Sequence, residues 1–177
     1  MERLKPDDRE QFILDNQYAF KYGISGDFHP EGGDSSVEDF DGEIISRKTI
    51  ENSIDGGVAY RIKENGINVG GLVLSFRGGY AHGDLELLFV SPDIHSKGIG
   101  CSAWKEGERL YPEIDVWETE TPSFETRNIH FYVNKCGFRI VEFFNAKHPD
   151  PHDPETGKEE RYEDTDGGMF RFEKVIR

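Results

Sequence analysis

The sequence contains few cysteines and no long apolar run, and both absences narrow the class of protein. No apolar stretch approaches the roughly 18 residues of a membrane-spanning helix, and the segment MERLKPDDRE has no signal-peptide core. The two cysteines, Cys101 and Cys136, are too few for a disulfide framework and lack the CxxC spacing of a metal site. We therefore expect a cytoplasmic protein with two reduced thiols and no membrane partner.

Basic residues are also scarce. The 177 residues include 21 lysines and arginines against 35 acidic residues, for a net charge of −14, which argues against nucleic acid as a partner. Two segments carry nearly all of the excess: residues 24–45 hold seven acidic and no basic residues, and residues 148–168 hold eight acidic and two basic. The length predicts a single domain over residues 1–177, with both acidic segments as loops within it.

Hydrophobic periodicity and turn signals predict an α/β fold. The Asn-Gly pair at residues 65–66 is typical of a hairpin, Ser46 is placed for a helix N-cap, and Gly23 and Gly137 are placed for C-caps. The early strands form a meander, whereas the later ones alternate with helices, as in a parallel βαβ unit. We therefore predict a mixed sheet of about seven strands flanked by about four helices. The predicted helices cover residues 6–22, 46–54, 101–111 and 123–136, and the predicted strands cover residues 58–62, 69–76, 85–90, 114–119, 138–144 and 169–175.

A glycine-containing loop, His95–Gly100, lies between a predicted strand and a predicted helix. Glycines allow successive backbone N–H groups to turn toward one point, and a helix N-terminus adds positive charge, so the segment suits a phosphate or pyrophosphate. The nucleoside-triphosphate motif GxxxxGK[ST] is absent. The dinucleotide pattern GxGxxG/A is met formally by residues 98–103, but seven residues separate Val90 from Gly98, whereas that loop begins at the strand end. A plain tight turn is the remaining alternative.

Two stretches together resemble the GNAT superfamily of acyl-CoA-dependent N-acetyltransferases. VSPDIHSKGIG, residues 90–100, is similar to the family's strand followed by R/Q-x-x-G-x-G/A, with His95 at the Arg/Gln position. NIHFYVNKCGF, residues 128–138, is similar to the later part of N-x-x-A-x-x-F-Y-x-K-x-G-F, with Glu125 at the first Asn and Asn128 at the Ala. The predicted order of elements also follows that of the family over nearly the whole chain.

The resemblance implies acetyl-CoA as co-substrate and no metal. The resemblance implies that the backbone N–H groups of the loop His95–Gly100 bind the pyrophosphate. It also implies that the thioester lies between two splayed strands, here residues 85–90 and 114–119. A backbone N–H near Phe89 or Val90 then polarises the thioester carbonyl, and Asn128 is the candidate for the pantetheine contact. The cofactor-binding residues implied in this way are Phe89, Val90, His95, Ser96, Lys97, Gly98, Ile99, Gly100, Cys101 and Asn128.

Acetyl transfer to an amine needs a base for the ammonium proton and a proton donor for the departing thiolate. Tyr132 occupies the position of the family's proton donor, with a core aromatic as the alternative. Glu86, inside an apolar run, is the candidate base; burial would suit this role, because burial raises the pKa of a carboxyl group. The alternative is a solvent-facing position for Glu86. Glu118 is the reserve base, acting through water, and His130 is expected on the surface because a helix turns it away from Tyr132.

The resemblance therefore implies an N-acetyltransferase that acts on a primary amine. The acidic segments border the acceptor side in the family, which favours a cationic small-molecule or peptide amine; loops that are merely solvated are the alternative. Dimers are common in the superfamily, so a homodimer is compatible with the sequence. Two other hypotheses stay open: a non-catalytic module of the same fold that binds acyl-CoA or another ligand, and a nucleotide-binding oxidoreductase fragment. For the cluster His148–Asp153, a solvated loop is favoured over a metal site.

Overall fold

The computed structural model of the chain describes residues 1–27, 45–78, 81–94, 98–151 and 168–176, with side chains described outside residues 23–27. Most of both acidic segments lies outside the described residues, as do His95, Ser96 and Lys97. The predictions made for those positions are therefore not compared with the structure.

The described residues form seven strands and four helices. Their bounds are β1 (Glu2–Arg3), α1 (Arg9–Asp27), α2 (Arg47–Gly56), β2 (Val58–Glu64), β3 (Ile67–Arg77), β4 (His82–Val90), α3 (Ile99–Leu110), β5 (Val116–Pro122), α4 (Thr126–His130) with a π-helical continuation (Phe131–Cys136), β6 (Arg139–Phe144) and β7 (Met169–Val175). The strands form one sheet in the order β1-β2-β3-β4-β5-β7-β6.

The sheet is mixed. The pairs β1–β2, β2–β3, β5–β7 and β6–β7 are antiparallel, whereas β4 and β5 are parallel, with residues 82–84 opposite residues 116–118. A crossover through α3 joins the two parallel strands, as a βαβ unit requires. The predicted fold class, a mixed α/β sheet with a parallel pair in the middle, is confirmed.

The chain divides into two compact units, each with its own apolar core. Unit 1 comprises Met1–Phe76 and Leu85–Tyr111, and unit 2 comprises Arg77–Asp84 and Pro112–Arg177. In unit 1, one apolar cluster joins helices α1 and α2 to the sheet and a second joins α3 to it. In unit 2, the fully buried aromatic side chains are Trp117, Phe138, Phe144 and Phe172.

Successive side chains of β4 belong to the two different clusters of unit 1. Leu87 and Phe89 pack with residues of α1 and α2, and the rings of Phe89 and Phe12 meet edge to face with centroids 5.1 Å apart. Leu88 packs in the other cluster, with Ala103 and Ile99 of α3. Because neighbouring side chains of a strand point to opposite faces, α3 covers the face that Leu88 presents.

A buried arginine fixes α1 against β2. Arg61 is only 2% exposed, and its guanidinium donates to both carboxylate oxygens of Asp8, at 2.7 and 2.9 Å, and to Asp15 at 2.7 Å. The group also lies 5.0 Å from the ring centroid of Phe12. Removing a partner from such a buried pair leaves an uncompensated charge, which typically costs about 3–5 kcal/mol.

Local signals place several element ends correctly. Ser46 Oγ accepts from the Thr49 N–H at 3.0 Å as the N-cap of α2, and Asn65 and Gly66 take positive φ angles of 52° and 83° between β2 and β3. Gly137 ends the last helical segment in the left-handed conformation, with φ 82°. These three predictions are confirmed.

Two predicted boundaries are wrong. Gly23 does not end the first helix, which continues to Asp27, because a single glycine costs a helix only about 1 kcal/mol and the next proline is Pro30. The predicted strand 114–119 is Val116–Pro122 instead. Ile114 is buried although it precedes the first residue of β5. Its burial therefore reflects core packing rather than strand pairing.

Candidate active site

The first part of the candidate site is the N-terminus of α3. Gly98 is the N-cap, with φ 70° and ψ 13°, and its carbonyl accepts the first helical hydrogen bond from the Ser102 N–H at 3.0 Å. Within the described residues no side-chain cap hydrogen bond is made at Gly98, and the first turn contains no acidic residue. Helix geometry gives the N–H groups of that turn, at Ile99 and Gly100, no acceptor within the helix. Together with the helix dipole they suit an anion such as a phosphate.

Gly98 is required for its backbone conformation rather than for lack of room. A Cβ built on Gly98 meets no heavy atom within 4 Å. Its φ of 70°, however, is in the left-handed region, where a side chain costs roughly 1–2 kcal/mol. Cys101, in the first turn of α3, is half-buried, whereas Cys136 is buried.

The second part is the end of β4, eight residues before Gly98. Phe89 is buried and Val90 is half-buried. The backbone of β3 passes close to Phe89, because a Cβ on Gly70 would lie 2.2 Å from the Phe89 carbonyl oxygen. The predicted role of the Phe89 and Val90 backbone toward a thioester stays a prediction.

Glu86 is on β4 within the same unit, in the solvent-facing position that was the alternative to burial. The side chain is exposed, whereas Leu85 and Leu87 beside it are buried. The apolar run suggested burial on both faces of the strand, but the face of Glu86 is not covered at this position. Ser75 Oγ on β3 donates a hydrogen bond of 2.7 Å to Glu86 Oε1.

Glu118, the reserve base, is held by two arginines in unit 2. The side chain is 14% exposed, and it accepts from Arg171 at 2.9 Å and, with its other oxygen, from Arg77. Arg77 also donates to both carboxylate oxygens of Asp84, at 2.8 and 2.6 Å. Sequence reasoning missed both arginines, because their contacts depend on strand pairing between residues far apart in sequence.

Tyr132 is buried in unit 2, in the π-helical segment. Its ring lies 5.8 Å from that of Phe138 and 5.4 Å from that of Phe172, measured between centroids, and its side chain is hydrogen-bonded with Thr119. Burial raises the pKa of the phenol to about 12, so that it is protonated at neutral pH. Tyr132 is thus a core aromatic that retains a donor proton.

Asn128 and Glu125 lie at the beginning of α4. The Asn128 amide donates over long distances, 3.4 Å to Thr121 Oγ1 and 3.5 Å to Glu125 Oε2, and the side chain is half-buried. Its predicted pantetheine contact stays a prediction. His130 is exposed, with Nδ1 3.0 Å from Asn134 Nδ2, which confirms the surface position expected for it.

Within the described ranges, no group of three or more His, Cys, Asp or Glu side chains is arranged to hold a metal ion. Of the His148–Asp153 cluster, His148 lies 3.2 Å from Glu142 Oε1 and stacks on Phe144, while His152 and Asp153 are outside the described residues. Among the helices that the structure describes, none is both long and apolar enough to span a membrane.

The described strands thus form a mixed α/β sheet with a parallel pair, β4 and β5, and a glycine-capped helix follows β4. The chain belongs to the Acetyltransferase (GNAT) family, whose sequence model matches residues 24–138. Membership of this family supports acetyl transfer in general.

Comparison with individual proteins agrees with the family assignment. The chain is 42% identical over 180 residues to the uncharacterized protein YrkN of Bacillus subtilis strain 168, covering 100% of this chain and 93% of YrkN. Its fold is similar to that of the ribosomal-protein-S18-alanine N-acetyltransferase from Escherichia coli (TM-score 0.66, 14% identity, 99% and 92% of the two chains). It is also similar to the PaiA N-acetyltransferase from Thermoplasma acidophilum, solved in complex with coenzyme A (TM-score 0.60, 18% identity, 98% and 96%).

Proposed function

We propose that the protein is a cytoplasmic enzyme that transfers an acetyl group from acetyl-CoA to a primary amine, by direct attack of the amine on the thioester. The observation that carries the proposal is the N-terminus of α3. Its N-cap is the left-handed Gly98, which makes no side-chain cap hydrogen bond, and the chain belongs to the GNAT family. The coenzyme A bound to the Thermoplasma acidophilum protein supports the choice of ligand.

The pyrophosphate is assigned to the α3 N-terminus. Backbone N–H groups of residues 98–101 bind its oxygens, and His95, Ser96 and Lys97 complete the loop by sequence. The backbone at Phe89 and Val90 polarises the thioester carbonyl, and Asn128 contacts the pantetheine arm.

Glu86 is assigned as the base. A Lys-like amine has a pKa near 10 and must lose a proton before it attacks. The only side-chain hydrogen bond that Glu86 makes to a described residue is the one from the Ser75 hydroxyl, a neutral donor. Glu118, in contrast, accepts from two guanidinium groups, and a proton-carrying substrate would have to displace one of them. These contacts favour Glu86 over Glu118.

Tyr132 is assigned as the donor to the departing sulfur. Its raised pKa of about 12 keeps the phenol protonated over the whole neutral range. A thiol titrates near 8.5, by analogy with cysteine, so a phenol of that pKa stabilises the thiolate by a hydrogen bond more readily than by complete proton transfer.

The acceptor is assigned as a cationic amine, either a small molecule or a peptide. The support is the charge distribution: two segments of the sequence hold nearly all of the −14. Attraction between this charge and a cationic amine weakens as salt is added, so the apparent KM should rise with ionic strength. A neutral amine of similar size is the control. A KM for the cationic amine that does not change with salt would contradict this assignment.

The binding part of the proposal is tested by calorimetric titration with acetyl-CoA, CoA and NADH. We expect acetyl-CoA and CoA to bind and NADH not to bind. Binding of NADH without CoA would overturn the proposal and favour the nucleotide-binding alternative.

A further inference from the structure

Ser75 and Glu86 form a hydrogen-bonded pair on neighbouring strands of unit 1. Ser75 Oγ on β3 lies 2.7 Å from Glu86 Oε1 on β4, the separation of a charge-assisted O–H···O⁻ hydrogen bond. Ser75 is half-buried, whereas Glu86 is exposed. The hydroxyl therefore holds one oxygen of a carboxylate that solvent and substrate can still reach.

The pair differs from the other carboxylate contacts on these strands. Asp84, two residues earlier on β4, is bound through both oxygens by the Arg77 guanidinium. Glu86 Oε1 has the serine hydroxyl as its donor, and Oε2 has no hydrogen-bond partner among the residues that the structure describes. A hydroxyl orients a carboxylate without cancelling its charge, and this leaves Oε2 able to accept a proton.

Glu86 also lies on the face of the sheet that α3 covers. Leu88, two residues further along β4, packs against the apolar cluster that includes Ala103 of α3, and so does Ile99, the first residue of that helix. Side chains two residues apart share a face, and the strand rises about 6.6–6.8 Å over that distance. Glu86 therefore lies one side-chain repeat along β4 from the cluster against which the first residue of α3 packs.

We propose that Ser75 is a positioning residue, whose hydroxyl holds Glu86 Oε1 so that Oε2 receives the proton of the acceptor ammonium. In that step the N–H bond breaks, an O–H bond forms at Oε2, and the electron pair remains on the nitrogen that attacks the thioester. The inference rests on the proposed function, in which Glu86 is the base.

The test compares Ser75→Ala, Ser75→Thr and Glu86→Gln in the full chain, using acetyl-CoA and an accepted amine. A hydrogen bond to a charged group corresponds to about 10- to 100-fold in an equilibrium, and we expect Ser75→Ala to lower kcat by at least tenfold. Ser75→Thr keeps the hydroxyl and should restore the rate, whereas a merely structural role would not be rescued by the hydroxyl alone. The Kd for acetyl-CoA should be unchanged in all three variants.

The outcomes separate this inference from the proposal on which it rests. If Glu86→Gln transfers acetyl groups at the wild-type rate, the assigned base is wrong. If Glu86→Gln is impaired but Ser75→Ala keeps the wild-type kcat, the positioning role alone is refuted. Adding Ser75→Ala to Glu86→Gln should cause no further loss, because the hydroxyl acts through the carboxylate. Ser53→Ala, at another half-buried serine of unit 1, is the matched control and should match the wild type.

Discussion

A methyl group at Gly98 tests the assignment of the α3 N-terminus. Gly98 has φ 70° and Gly66, in the turn between β2 and β3, has φ 83°, and a Cβ on either residue meets no heavy atom within 4 Å. Alanine at each position should therefore lower the free energy of unfolding by a similar amount, about 1–2 kcal/mol, from the left-handed conformation alone. Urea denaturation measures this cost. The two variants form a matched pair within unit 1.

The pair should differ in affinity for coenzyme A. At Gly98 the methyl group stands at the N-cap, and any relief of strain turns the first N–H groups of α3 away from a bound phosphate. We expect Gly98→Ala to weaken CoA binding by at least tenfold, about 1.4 kcal/mol, and Gly66→Ala to leave it unchanged in calorimetric titration. Gly98→Asn, with a side chain that tolerates left-handed φ, should recover stability but not affinity. Equal CoA affinity of Gly98→Ala and the wild type would refute the assignment.

Other variants test Tyr132 and the buried amide of Asn16. Tyr132→Phe should lower kcat about 10²-fold while the Kd for acetyl-CoA stays constant, and an unchanged kcat would remove Tyr132 from the mechanism. Burial raises the pKa of Tyr132 to about 12, so the unfolded chain releases this proton first and stability falls between about pH 10 and 12, by up to about 3 kcal/mol. Tyr132→Phe should make that fall smaller in urea titrations, and an equal fall in both proteins would contradict it. Asn16 is fully buried and its amide has no partner among the described residues, so Asn16→Leu should raise the free energy of unfolding by about 1–3 kcal/mol. Asn134→Leu, the control at an exposed position, should change the free energy of unfolding by less than about 0.5 kcal/mol. A loss of stability in Asn16→Leu would show that the Asn16 amide is satisfied.

Features that depend on a few neighbouring residues were predictable from the sequence. The hairpin at Asn65-Gly66, the Ser46 cap and the left-handed Gly137 each follow from the backbone preference or hydrogen bonding of one or two residues. The helix after the glycine loop was predicted as well, but from residue 101, whereas α3 begins at Ile99 with Gly98 as its N-cap.

Features set by strand pairing were not predictable in this way. The last strand in sequence, β7, lies between β5 and β6, and this order brings Arg171 to Glu118 across 53 residues of sequence. No local pattern encodes that contact. The exposure of Glu86 was left open for a related reason: it depends on how far α3 covers one face of β4, whereas the surrounding apolar run indicates only that the leucines beside it are buried.

The most direct test of the central claim is amine-dependent release of free thiol from acetyl-CoA by the purified protein, across a panel of cationic and neutral primary amines. The account predicts that one or more cationic amines release CoA in step with the appearance of the acetylated amine, and that Gly98→Ala slows both at subsaturating acetyl-CoA. Tight binding of acetyl-CoA with no amine-dependent thiol release from any member of the panel would contradict the account and favour a non-catalytic acyl-CoA-binding module.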